Sequence, residues 1–181
     1  MKTIRLLLAS ALTAVCATAA PPAPAAPASP LDGSFTCAAP SGWSARRLAD
    51  GVVFSGPRDA NGVAATIVVR HVAPGDKLYA TPAAYMRRIT EAPDVAPPGW
   101  SAGRVRDAVV AGRAAKRVVN GAARFVPPNS FRAKRVDTRE EHVAVPAARG
   151  FYALIYDAPV SLFDRRHAAF ERVLASFRPK F

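Results

Sequence analysis

The order of apolar and polar positions divides the chain into three stretches. Residues 6–15, LLLASALTAV, form an apolar run. Residues 19–30, AAPPAPAAPASP, show no period. Proline at that density removes backbone donors and fixes φ, so this stretch is expected to stay extended rather than join a core. Beyond it the pattern becomes one of short strands broken by turns, with two helical segments.

Ser34 to Ala38 reads as a short strand. Ser44–Leu48 and Val52–Ser55 are joined by Ala49-Asp50-Gly51, a hairpin signal because Gly tolerates positive φ. Val63 to Val72, VAATIVVRHV, is the strongest strand, and its β-branched run predicts burial on both faces for part of its length. Asn61-Gly62 just before it is a second hairpin signal. Arg104–Val110 and Ala114–Val119 form another hairpin around Ala111-Gly112-Arg113, and Val126-Pro127-Pro128-Asn129 breaks the chain. Lys134–Val145 is more polar and is expected near a sheet edge, whereas Phe151–Tyr156 reads as a buried strand.

The helices carry their own punctuation. Thr81 suits an N-cap and Pro82 the first helical position; Tyr85, Met86 and Ile89 share a face, and Pro93 ends the pattern in a loop over 93–99. Near the C-terminus, Ser161 with Asp164 three residues on resembles a capping box. Leu162, Phe163, Phe170, Val173, Leu174 and Phe177 fall on one face at 100° per residue, and Pro179 stops the helix. Six such side chains represent about 10 kcal/mol or more of gross burial, an upper bound. A helix so amphipathic must cover a sheet. Hairpin-linked strands with two helices predict an α+β fold with a mostly antiparallel sheet.

The start of the chain concerns destination. Lys2 and Arg5 precede the apolar run, and Ala17-Thr18-Ala19 offers small residues at the positions a signal peptidase reads. The run is too short to span a bilayer, which takes roughly 20 apolar residues. The reading is a signal peptide over 1–19, a Pro/Ala-rich linker over 20–31 and a single domain over 32–181. The product is periplasmic or extracellular, with no transmembrane helix after cleavage. An alternative is a lipoprotein acylated at Cys16, although Val15 stands where that signal wants a small residue. Cys37 is then the lone thiol, expected as a small buried apolar residue rather than an interchain bridge.

The net charge is +12, and loss of Lys2 and Arg5 lowers it to +10. Most of the basic residues are Arg, which suits an anionic partner: an acidic protein, an acidic polysaccharide or a lipid headgroup, with nucleic acid disfavoured outside the cytoplasm. No dense basic run or basic–aromatic interleaving is expected. Arg104 and Arg106 share one face of a strand, as does Arg117 of its partner strand; these are candidates for binding, weighed against a solvated sheet rim. Arg166 falls inside the apolar arc of the last helix. Either its stem covers apolar surface with the head in water, the preferred reading, or it pairs with Asp157 or faces an anionic ligand. Trp43 and Trp100 read as lids on the core.

His71, His142 and His167 include no pair at i, i+4. Glu140-Glu141-His142 is the one carboxylate–imidazole cluster, with Glu140 and His142 on one strand face and Glu141 on the other. A solvated edge patch is preferred there to a metal site. There is no G-x-S-x-G, phosphate-binding loop or dinucleotide fingerprint, so no catalytic residue, metal ligand or cofactor is assigned.

Four segments together resemble the PsbP-like family, named for a lumenal accessory subunit of photosystem II. They are Pro40-Ser-Gly-Trp43, Gly51-Val-Val-Phe54-Ser-Gly-Pro57, Phe151-Tyr-Ala-Leu-Ile-Tyr156 and Phe170-Glu-Arg-Val-Leu-Ala-Ser-Phe177. The resemblance spans nearly all of residues 34–178. It implies an α/β/α sandwich with the amphipathic helix C-terminal, and bacterial relatives that are exported proteins or lipoproteins. The matching positions are core and turn positions, so no functional residue is carried over. Three functions are weighed: an exported non-catalytic binding or accessory domain, which is preferred; a small secreted hydrolase using one of the three His beside a carboxylate in a concave pocket; and a lipid-anchored protein of the same fold.

Overall fold

A computed structural model describes residues 27–76 and 81–181; the proposed signal peptide, Cys16 and most of the proposed linker lie outside them. The elements run in the order β1 (Pro27–Ala28), β2 (Phe35–Ala38), β3 (Ser44–Arg47), β4 (Gly51–Arg58), β5 (Ala64–Val72), α1 (Pro82–Thr90), β6 (Arg106–Val110), β7 (Arg113–Val126), β8 (Lys134–Pro146), β9 (Phe151–Pro159), α2 (Val160–Ser176) and β10 (Arg178–Pro179). A seven-stranded sheet has the order β3-β4-β5-β9-β8-β7-β6, every pairing antiparallel. A small sheet, β1-β2-β10, lies beside α2. The fold is α+β, as the strand and helix pattern predicts.

The two helices cover opposite faces of the large sheet. One face carries Val52, Phe54, Ile67, Val69, Val143, Val145, Tyr152, Leu154 and Tyr156, and meets Leu162, Phe163, Phe170, Val173, Leu174 and Phe177 in the main core, with Phe35 and Cys37 of β2. The other face packs Val72, Val118, Ala144, Phe151 and Ala153 against Tyr85 and Met86 of α1. The α1 start is as expected: the Thr81 hydroxyl accepts from the Ala84 amide at 3.0 Å, with Pro82 beginning the helix.

Several local expectations change. Residues 27–28, assigned to the linker, pair with Cys37 and Ala38, because the edge of β2 offers them partners. Along β5 fully buried positions alternate with half-covered ones: the α2 side is sealed and the shorter α1 covers the other only in part. The α2 N-terminus has no side-chain cap; Pro159 occupies that position and Ser161 is already inside the helix. Gly51 is demanded by close approach rather than by φ, since a Cβ there would lie 2.6 Å from the Val69 carbonyl oxygen. Most consequentially, β8 is not near an edge. It sits between β9 and β7, and Glu141 on one face and His142 on the other find polar partners.

Candidate functional site

Three consecutive residues of β8 build two polar networks, because neighbouring side chains on a strand point to opposite faces. Glu141 faces α2 and is 1% exposed. Nε of Arg117, from β7, donates to one of its oxygens, and Nε2 of His167, from α2, lies 2.7 Å from the other. Arg117 also donates to Glu171 Oε1 at 2.5 Å. Burial opposes the charge on Arg117, but hydrogen bonds and attraction from Glu141 and Glu171 prevail and hold its pKa above the ordinary arginine value. The rings of Tyr156, Phe163 and Phe170 surround His167, so the network is roofed by aromatic carbon.

Glu140 and His142 face α1. The Tyr85 hydroxyl lies 2.6 Å from His142 Nδ1, and Glu140 Oε2 lies 3.4 Å from His142 Nε2. With the Nε2 proton directed at Glu140, Nδ1 accepts from the tyrosine and both ring nitrogens are engaged. The bond to His142 holds the Glu140 carboxyl below its usual range against the opposing effect of burial. Asp157 lies directly across the sheet from Glu140. Arg124 donates to its Oδ2, while its buried Oδ1 has no partner among the described residues. Burial pushes the Asp157 carboxyl up to about 6, although Arg124 works in the other direction. Asn120 ties the surrounding backbone together: its amide donates to the Ile89 carbonyl at 2.8 Å and its oxygen accepts from the Gly103 amide at 3.1 Å.

This second network opens into a cleft of about 520 Å³ between α1, the loop that follows it and the sheet. Arg88, Ile89, Asp94, Trp100, Glu140 and His142 are among its walls. The cleft combines both charge signs, an indole and an aliphatic side chain around a polar floor, a composition suited to recognition.

Of the sequence candidates, Arg104, Arg106 and Arg117 come together around a cavity of about 240 Å³ with Glu141 in its wall. Arg106 and Arg117 are cross-strand partners; Arg104 lies just before β6. Arg166 stands apart, exposed on α2. The arginine that holds Asp157 is Arg124, because β7 runs beside β8 and delivers it from within the sheet. Glu140, Glu141 and His142 are not a solvated edge patch: Glu141 and His142 are buried, since β8 is internal. Two of the three imidazoles lie within reach of a carboxylate, while His71 Nε2 lies 2.7 Å from the Arg149 carbonyl oxygen. Cys37 is buried, and burial pushes its thiol up to about 12, which leaves it unreactive. Trp43 packs over Gly56, where a Cβ would lie 2.6 Å from the indole, as a lid on the core should; Trp100 instead lines the cleft. Sequence reading missed Tyr85 as the partner of His142 and Arg124 as that of Asp157. The signal available was Tyr85 on the same helical face as Met86 and Ile89.

Neither protein-family models nor curated proteins give a match to the chain. Solved structures do. Cyanobacterial PsbP from Synechocystis sp. PCC 6803 aligns over 93% of this chain and 98% of its own, with 12% identity and a TM-score of 0.51. The chain has the PsbP-like fold. The Ran-binding protein Mog1p of Saccharomyces cerevisiae aligns over 86% of this chain and 95% of its own, with 11% identity and a TM-score of 0.51. LpqN, involved in cell envelope biogenesis of Mycobacterium tuberculosis, covers 86% of this chain and 85% of its own, with 16% identity and a TM-score of 0.49. At these identities the PsbP-like likeness concerns the arrangement of elements; the residues of the cleft have to be read on their own chemistry.

Proposed function

We propose that this PsbP-like chain is an exported accessory domain that binds its partner non-covalently in the cleft between α1 and the sheet. The carrying observation is the state of His142. It is the imidazole in the cleft wall, and both of its ring nitrogens are held, one by Tyr85 and one by Glu140. A general base needs a ring nitrogen directed at the substrate proton; this one is spent on positioning the floor of the site. The signal-like pattern over 1–19 supports export.

The Glu140–His142 contact also favours a second reading, a small hydrolase in which substrate displaces Tyr85 from Nδ1. The two readings separate in one assay. The purified protein is offered panels of esters, glycosides and phosphate esters beside a His142→Asn variant. The accessory reading expects the same background rate from both. Turnover by the wild type that vanishes in the variant overturns it and establishes the hydrolase.

A further inference from the structure

The β7–β8 hairpin extends beyond the rest of the sheet. The last rung of β9 on β8 is Pro159 opposite Thr138, and β6 covers β7 only over Arg113–Arg117. The pairs from Ala123–Asp137 to Val126–Lys134 therefore form a two-stranded ribbon with no third strand among the described residues. Four further residues per strand carry the tip roughly 13 Å past the sheet. Such a ribbon is marginal by itself, so its length calls for a use.

The tip has a distinctive chemistry. Residues 124–135 read RFVPPNSFRAKR, with Arg124, Arg132, Lys134 and Arg135 and no carboxylate. Arg124 is taken by Asp157 and Arg135 by Asp137, whereas Arg132 and Lys134 have no carboxylate partner among the described residues. Phe131 is fully exposed and Phe125 is 48% exposed. Basic–aromatic interleaving is hidden in the sequence because Val126-Pro127-Pro128-Asn129-Ser130 separates the two rings. The turn folds them back, and both line one open depression with Asn129, Ser130 and Ala133.

We infer that this tip is a membrane-surface contact for an anionic bilayer, with Phe125 and Phe131 entering the headgroup–acyl boundary and Arg132 and Lys134 meeting lipid phosphates. The shape and the charge select this occupant. Bare phenyl rings bring no hydrogen-bonding group, so they need an apolar phase, which a soluble polysaccharide lacks. A projecting finger enters a deformable interface without requiring a matching pocket. Unpaired cations beside the rings are attracted by anionic headgroups. Arg124 is shared with the Asp157 network, but Phe125, Phe131, Arg132 and Lys134 are not among the cleft's lining residues, so tip and cleft can be altered separately.

The test is flotation of the full chain with vesicles of phosphatidylcholine alone and of an equal mixture with phosphatidylglycerol. Binding to the mixed vesicles is expected to weaken about tenfold in Phe125→Ser/Phe131→Ser and about fivefold for each of Arg132→Gln and Lys134→Gln. Arg46→Gln/Arg172→Gln, basic but on β3 and α2 rather than on the ribbon, should stay within twofold. Residues 1–26 are the same in every variant, and a readout at the tip itself separates their contribution from that of the ribbon. A Phe131→Trp variant reads the contact locally: its emission, after subtraction of the wild-type spectrum, should shift to the blue and be quenched by brominated acyl chains on the mixed vesicles. Equal flotation of all variants would overturn the inference, as would an unshifted difference spectrum from vesicle-bound Phe131→Trp protein. Tight binding to a soluble acidic polysaccharide that depends on Arg132 and Lys134 but not on the rings would also overturn it, and would assign the tip to that class of partner.

Discussion

Glu141 and His142 are neighbours in sequence and belong to different worlds. On the α2 face, Glu141 is enclosed by Arg117, His167 and a wall of aromatic rings, and its charge is met at both oxygens. On the α1 face, His142, Glu140 and Asp157 form a network that ends in a cleft and leaves one Asp157 oxygen without a partner among the described residues. One strand thus feeds a more closed network, built on a buried Glu141 that borders a cavity of about 240 Å³, and a more open one that ends in a cleft of about 520 Å³. The difference comes from the helices: α2 covers its face over Val160–Ser176, whereas α1 spans only Pro82–Thr90.

The sharpest way to break this contrast is on the closed side. Glu141→Ala leaves the Arg117 and His167 donors without their shared acceptor, and we expect a loss of about 3–5 kcal/mol in denaturant unfolding. Glu141→Leu combined with Arg117→Met should recover most of it, because an apolar pair of similar volume fits the aromatic wall. A cost below about 1 kcal/mol for Glu141→Ala would show that the network contributes little to stability.

The open side makes a prediction of different form. The Asp157 pKa is raised on folding, so the folded state holds a proton that the unfolded state releases. Stability from this group is fully present below the unfolded value of about 4 and is lost as pH rises through about 6. The shift corresponds to about 3 kcal/mol as an order of magnitude. Unfolding of Asp157→Asn relative to wild type should therefore gain on the wild type as pH rises from about 4 to about 6. Glu140 has the opposite sign, since its lowered pKa favours the fold at higher pH. A pH-independent difference would mean that Asp157 titrates normally.

The core was legible from pattern because burial imposes a period. All six apolar positions assigned to one face of the last helix are buried, as are Tyr85 and Met86 of the first. The networks were not legible because a charge does not announce its partner. Arg117 lies far from Glu171 and His167 along the chain, and only the docking of α2 brings them together. The polarity of residues 134–145 suggested an edge for the same reason: unmatched charges belong in water, and the matching comes from β7, α1 and α2. The hairpin tip shows the converse, where residues separated by a Pro-containing turn become one surface.

Smaller effects refine the contrast. Tyr85→Phe removes the hydroxyl from His142 Nδ1 and should cost about 1–2 kcal/mol in unfolding, without the collapse expected of Glu141→Ala. Arg88→Glu and Trp100→Ala alter the cleft walls where solvent already reaches, so their effect on stability should stay near 0.5 kcal/mol or below while partner binding changes. A large loss of stability from either would make the cleft wall part of the scaffold.

The division between the faces is tested most directly by photo-crosslinking in the producing cell. A photoreactive residue is placed in turn at Arg88 and Asp94 on the cleft, and at Arg165 and Arg172 on the outer face of α2. A discrete adduct is expected from the cleft positions, lost with Trp100→Ala, and none from α2. An adduct from Arg165 or Arg172 with none from the cleft would contradict that division.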